Sequence, residues 1–170
     1  VSFGSAANFF KIIEKLSKGG NLIFKTRKKQ WLPEEIKKYA NEIVEDGDKM
    51  YPPVLAGLLK RCYMTVLFYS SGIYEVVYGG NYVLNIKLPL KRWGWESSKL
   101  KEYLKEDGHS LYDFKGVVES IDQKTILQDD WEFKPRLIDP IHRRWWVEKF
   151  IGPEPCGGAK SIALNIICDG

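Results

Sequence analysis

The apolar positions of the chain change their spacing twice, and those changes divide it into elements. Phe9, Phe10, Ile12, Ile13 and Leu16 recur at helical intervals and stop at Gly19-Gly20, which predicts a first helix. Residues 21–29 alternate loosely and end in a run of cations, the pattern of a short strand with a basic tip. Pro33 ahead of Glu34 and Glu35 opens a second helix, because proline needs no N–H there and acids suit the positive end. Its stripe is Ile36, Tyr39, Ala40, Ile43 and Val44, and Gly47 ends it. Tyr51-Pro52-Pro53 opens a short third helix carrying Val54, Leu55, Leu58 and Leu59.

From Met64 the period changes to two. Residues 73–78 and 82–88 flank Gly79-Gly80-Asn81, residues that tolerate positive φ, and this predicts a β-hairpin. Residues 98–106 form a polar helix closed by Gly108. Residues 111–133 read as two or three strands, residues 140–150 as a short aromatic helix, and residues 160–168 as a final strand. Helices first and then a run of strands is an α+β pattern: N-terminal helices packed on a mainly antiparallel meander. No repeat, low-complexity tract or long linker divides it, so a single domain over 1–170 is expected.

Composition excludes several classes. The chain has 170 residues, 44% hydrophobic and 28% charged, which is globular rather than disordered. Its longest apolar runs fall far short of the ~20 residues of a membrane helix. The start, Val1-Ser2-Phe3, has no initiator Met and no signal pattern, and reads as a trimmed end. The cysteines Cys62, Cys156 and Cys168 are odd in number and lack C-x-x-C spacing, which points to a reducing, intracellular setting.

Charge is uneven along the chain. Residues 1–101 hold 17 basic and 9 acidic side chains, residues 102–132 hold 3 and 9, and the overall net charge is +4. One part can attract an anionic surface and the other a second copy, unless folding interleaves the signs. The acidic part places Asp113, Glu119, Asp122, Asp129, Asp130 and Glu132 as candidates for self-association.

Catalytic motifs are sparse. His109 and His142 are far apart in sequence, and there is no G-x-S-x-G, H-E-x-x-H or G-x-G-x-x-G after a strand. Residues 152–161 resemble a phosphate loop, but Lys160 does not directly follow the second glycine and the flanking elements come in the wrong order. Asp113 with Asp122-Gln123-Lys124 has the acid plus acid-x-Lys form of a Mg²⁺-dependent nuclease, and Glu132-Phe133-Lys134 repeats the triplet. Strand alternation in a highly charged chain produces such triplets without any catalytic purpose. No cofactor and no small-molecule substrate are expected.

The feature with most weight occurs three times. Lys25, Arg27, Lys28 and Lys29 lead into Trp31; Lys91-Arg92 leads into Trp93 and Trp95; Arg143-Arg144 leads into Trp145-Trp146. Cations beside indoles suit anionic lipid head groups, or single-stranded nucleic acid on which rings stack while charges track phosphates. Equally, a tryptophan can anchor a core with its cations as a wet rim, the favoured account for Trp31 and Trp93. Trp145 and Trp146, adjacent on a helix, cannot both face the same way.

The order of these elements resembles the core of rhabdovirus matrix proteins. The resemblance covers roughly residues 20–170: a short strand from Leu22, a helix ending at Asp46-Gly47-Asp48-Lys49-Met50-Tyr51, an apolar helix from Val54, a hairpin, a short aromatic helix and a closing strand. The P-P-x-Y budding motif of those proteins is not matched, since Tyr51-Pro52-Pro53-Val54 has its letters in another order. The resemblance implies a non-enzymatic protein of virion or host cytoplasm that self-associates, touches anionic lipid and packs on a nucleocapsid. A structural RNA-binding subunit of a ribonucleoprotein or organellar assembly would use the same surface. The nuclease is the third reading.

Overall fold

The structure, a computed structural model, describes residues 6–27, 32–47, 54–68, 70–87 and 111–152. The N-terminal helix α1 (Ala6–Ser17) buries Ile12, Ile13 and Leu16, the stripe its spacing predicts. Strand β1 (Ile23–Arg27) follows, then the single turn α2 (Glu34–Lys37) and strand β2 (Glu42–Asp46).

The second helix is therefore much shorter than its stripe suggests. It ends at Lys37, and Asn41 then ties the chain to the residue before β1: its backbone N–H donates to the Leu22 carbonyl at 2.8 Å, and its side-chain oxygen accepts from the Leu22 N–H at 2.8 Å. Ile43 and Val44 then lie in a strand parallel to β1, where β-branched side chains fit well.

Helix α3 (Val54–Leu59) leads to β3 (Met64–Leu67), α4 (Ile73–Tyr78) and β4 (Tyr82–Lys87). The expected hairpin is replaced by a helix and a parallel strand. Ile73, Val76 and Val77 stand at i, i+3 and i+4 and are all buried. Gly79-Gly80-Asn81 close α4 rather than turn a hairpin: Gly80 N–H donates to the Val77 carbonyl at 3.0 Å and Asn81 N–H to the Val76 carbonyl at 3.1 Å. This is a Schellman closure, with Gly80 at φ +91°. The same tolerance for positive φ serves either motif, so the residues alone do not choose between them.

Both sheets are parallel, which overturns the antiparallel meander of the α+β expectation. One has the order β1-β2; the other has β3-β4-β5, with β5 spanning Val118–Asp122. Parallel neighbours need crossovers, and α4 supplies the one between β3 and β4. Where two or three strands were expected over 111–133, β5 is the named strand, with an isolated bridge from Phe114 to Val118, and it runs into the short helix α5 (Gln123–Ile126). The aromatic helix α6 (Pro140–Phe150) forms as the sequence indicates. The polar helix of 98–106 and the final strand of 160–168 lie outside the described residues.

β4 is the hub. Val83 joins one core with Ile73, Val76, Val77, Val118, Trp146 and Val147, while Leu84 and Ile86 join a second with Ile12, Leu16, Ile36 and Ile126. A strand covered on both faces reads as a nearly continuous apolar run, as Tyr82–Ile86 does. The polar exception, buried Asn85, donates to Ser120 Oγ at 2.9 Å on β5.

Candidate interaction surface on helix α6

Helix α6 begins at Asp139, whose carboxylate accepts from the backbone N–H groups of Ile141 at 2.8 Å and His142 at 3.1 Å. Pro140 occupies the first turn, where no N–H is needed. These bonds, led by the one from the His142 backbone, hold the Asp139 carboxyl below the usual range. The Asp139 N–H donates to the Gly116 carbonyl at 2.8 Å. Gly116 has φ +75°, and a Cβ there would come within 2.9 Å of Asp139 Cβ. Glycine is thus required twice where α6 meets the turn before β5.

The inner face of α6 is committed to the fold. Trp146 is fully buried, its indole N–H donating to the Leu111 carbonyl at 3.3 Å and its ring 5.1 Å from that of Phe150 and 5.9 Å from that of Tyr74. Arg143 Nε donates to the Val77 carbonyl at 3.0 Å, its Nη2 donates to the Tyr78 carbonyl, and its guanidinium lies over the Tyr78 ring. It caps the carbonyl end of α4, where the helix dipole favours a cation.

The outer face holds large apolar side chains in solvent among its charged ones. Trp145 is 65% exposed and Ile141 71%, with Leu137 ahead of the helix at 77% and Ile151 behind it at 46%. Arg144, Glu148 and Lys149 stand among them, and Phe114, Trp145, Glu148 and Lys149 line an open depression. Arg144 Nε is 4.0 Å from Glu148 Oε1, a loose pair on an exposed surface.

The structure therefore divides the expected basic, tryptophan-bearing face. Arg144 and Trp145 face out, whereas Arg143 and Trp146 are spent on packing. Lys25 pairs with Asp46 at 2.7 Å, and Arg27 is exposed at the end of β1. Lys28, Lys29, Trp31, Lys91, Arg92, Trp93 and Trp95 lie outside the described residues. Spacing alone could have singled out Ile141 and Ile151, since positions 141, 144, 148 and 151 share one helical face.

The acidic set is divided too. Glu119 pairs with Arg136 at 2.8 Å and accepts from the Tyr82 hydroxyl at 3.3 Å; burial pushes that phenol up. Asp122 caps α5, accepting from the Lys124 N–H at 2.7 Å. Asp113 accepts from the Ser120 N–H of β5 at 3.4 Å. Asp129, Asp130 and Glu132 are exposed, the last two lining a hollow with Gln128, Trp131 and Lys134. Among the described residues no group of three or more His, Cys, Asp or Glu could hold a metal ion, and no helix is long and apolar enough to cross a membrane. Cys62 is a free thiol, half-buried, and burial pushes its pKa up. Comparison of the chain with protein-family models, curated proteins and solved structures finds no match.

Proposed function

We propose that this is a non-enzymatic binding and assembly protein, which self-associates and engages an anionic surface, acidic lipid or RNA, much as a viral matrix protein does. The observation that carries the reading is the outward face of α6, where Trp145 and Ile141 stand in solvent with Arg144 and Lys149, and Leu137 is exposed just ahead of the helix. Large apolar side chains clustered on a surface mark an interaction site, and Trp with Arg is the pairing most enriched where binding energy concentrates. The net charge of +4 supplies long-range attraction to phosphate-bearing partners.

The test is vesicle pelleting with and without phosphatidylserine, beside a poly(U) shift assay across a salt series. Binding to either probe that falls steeply with salt is the expected result. Failure to bind both at low salt overturns the anionic-surface part. Light scattering across protein concentration tests the assembly part, and a strict monomer overturns it.

A further inference from the structure

We infer that the outer face of α6 is a self-association seam that takes a second copy of this chain, packed antiparallel across a two-fold axis. The inference rests on the assembly part of the reading above and names its surface. It also moves that surface away from the acidic residues of β5, since Glu119 and Asp122 already have partners within the chain.

The argument begins with spacing. Ile141, Arg144, Glu148 and Ile151 are separated by three, four and three residues, the repeat that keeps side chains along one seam of a helix. Read in either direction from residue 146, the stripe is apolar at the ends and charged within, with opposite signs on the two sides. An antiparallel copy therefore sets Ile141 against Ile151 of the second copy and Arg144 against Glu148 of the second copy. Two-fold symmetry makes each contact occur twice, as an isologous interface demands. A parallel copy would set Arg144 on Arg144 and Glu148 on Glu148, and like charges reject it. The weak Arg144–Glu148 pair within one helix is exchanged for two pairs across the seam.

Trp145 flanks the stripe on one side. In the antiparallel arrangement the two Trp145 rings come to the same side of the axis and close over the charged layer. Glu148, in the middle of the stripe, calls for a cation opposite it, and a second copy supplies one in its Arg144. An eleven-residue helix is about 16 Å long, so the contact is small and the dimer weak, closed and reversible.

Sedimentation equilibrium of the full chain at low salt tests this. A monomer–dimer equilibrium with Kd on the order of 10–100 µM is expected. Arg144→Glu sets acid against acid and weakens it at least about tenfold, while the double swap Arg144→Glu/Glu148→Arg restores it to within about threefold. Trp145→Ala weakens it about tenfold with an unchanged circular dichroism spectrum. A monomer across the whole range, a species larger than a dimer, or a double swap as weak as the single change overturns the seam. The same variants go into the vesicle and poly(U) assays. Anionic binding without a dimer removes the seam and leaves the anionic-surface reading standing; a dimer without anionic binding does the reverse.

Discussion

The indole N–H of Trp146 donates to the Leu111 carbonyl at 3.3 Å, so the residue next to the most exposed tryptophan of α6 is locked into the core. Adjacent positions on a helix point about 100° apart, and here that angle separates a structural ring from an available one. Trp146→Ala should cost about 3–5 kcal/mol through the cavity it leaves, and Trp146→Phe about 1–3 kcal/mol through the carbonyl left unpartnered. Trp145→Ala should lie within about 0.5 kcal/mol of the parent. Urea unfolding of the three variants checks the contrast.

Arg143 and Arg144 make the same comparison among cations. Arg143 donates to two carbonyls at the end of α4, those of Val77 and Tyr78, and Arg143→Met should cost about 1–2 kcal/mol by removing both charge-assisted bonds. Arg144→Met removes only a loose surface pair and should shift stability by less than about 0.5 kcal/mol. Equal losses in denaturant titrations would contradict the division of the helix into inner and outer faces.

Gly116→Ala should destabilise by about 1–3 kcal/mol, because its φ is positive and its new methyl would meet Asp139. Gly57→Ala is the control: nothing lies within 4 Å of its added Cβ, and it sits inside α3. Alanine there should be neutral or stabilising by up to about 1 kcal/mol.

Two carboxyls give stability an acid limb. Asp139 is held below its ordinary range first by the His142 backbone, and Glu42 first by its hydrogen bond from Arg61. Both folded-state pKa values are depressed. Their contribution is thus fully present above the unfolded carboxylate range and is lost as pH falls through the lower folded values. The denaturation midpoint should fall as pH drops below about 4, and less steeply in Asp139→Asn, which keeps a capping oxygen without the charge. Parallel slopes for the two proteins would refute the assignment.

Much of the fold is written in the sequence where one face is buried. The stripe of α1 and the proline-led α6 are plain, because helical spacing and caps agree there. The sheets are less legible. Ile73–Tyr78 is apolar at five of six positions, so its periodicity cannot separate a strand from a helix, and glycines that close a helix also turn a hairpin. Ile36–Val44 misleads in the opposite sense, since its helical stripe runs on past Lys37, where the helix ends, and the bonds of Asn41 to Leu22 that lead the chain into β2 are long-range. For the site, adjacency required that Trp145 and Trp146 diverge. Which of them turns inward depends on Leu111, Tyr74 and Phe150, and no local pattern announces those contacts.

β4 feeds side chains into both cores, and this ties their fates together. Val83 serves one core and Leu84 and Ile86 the other, so melting one core strips a side from the strand that the other needs. The two are coupled thermodynamically, and the central amides of β4 should exchange with deuterium only through global opening. A disturbance at the α6 seam then reaches α1, on the far side of the sheet, by way of one strand.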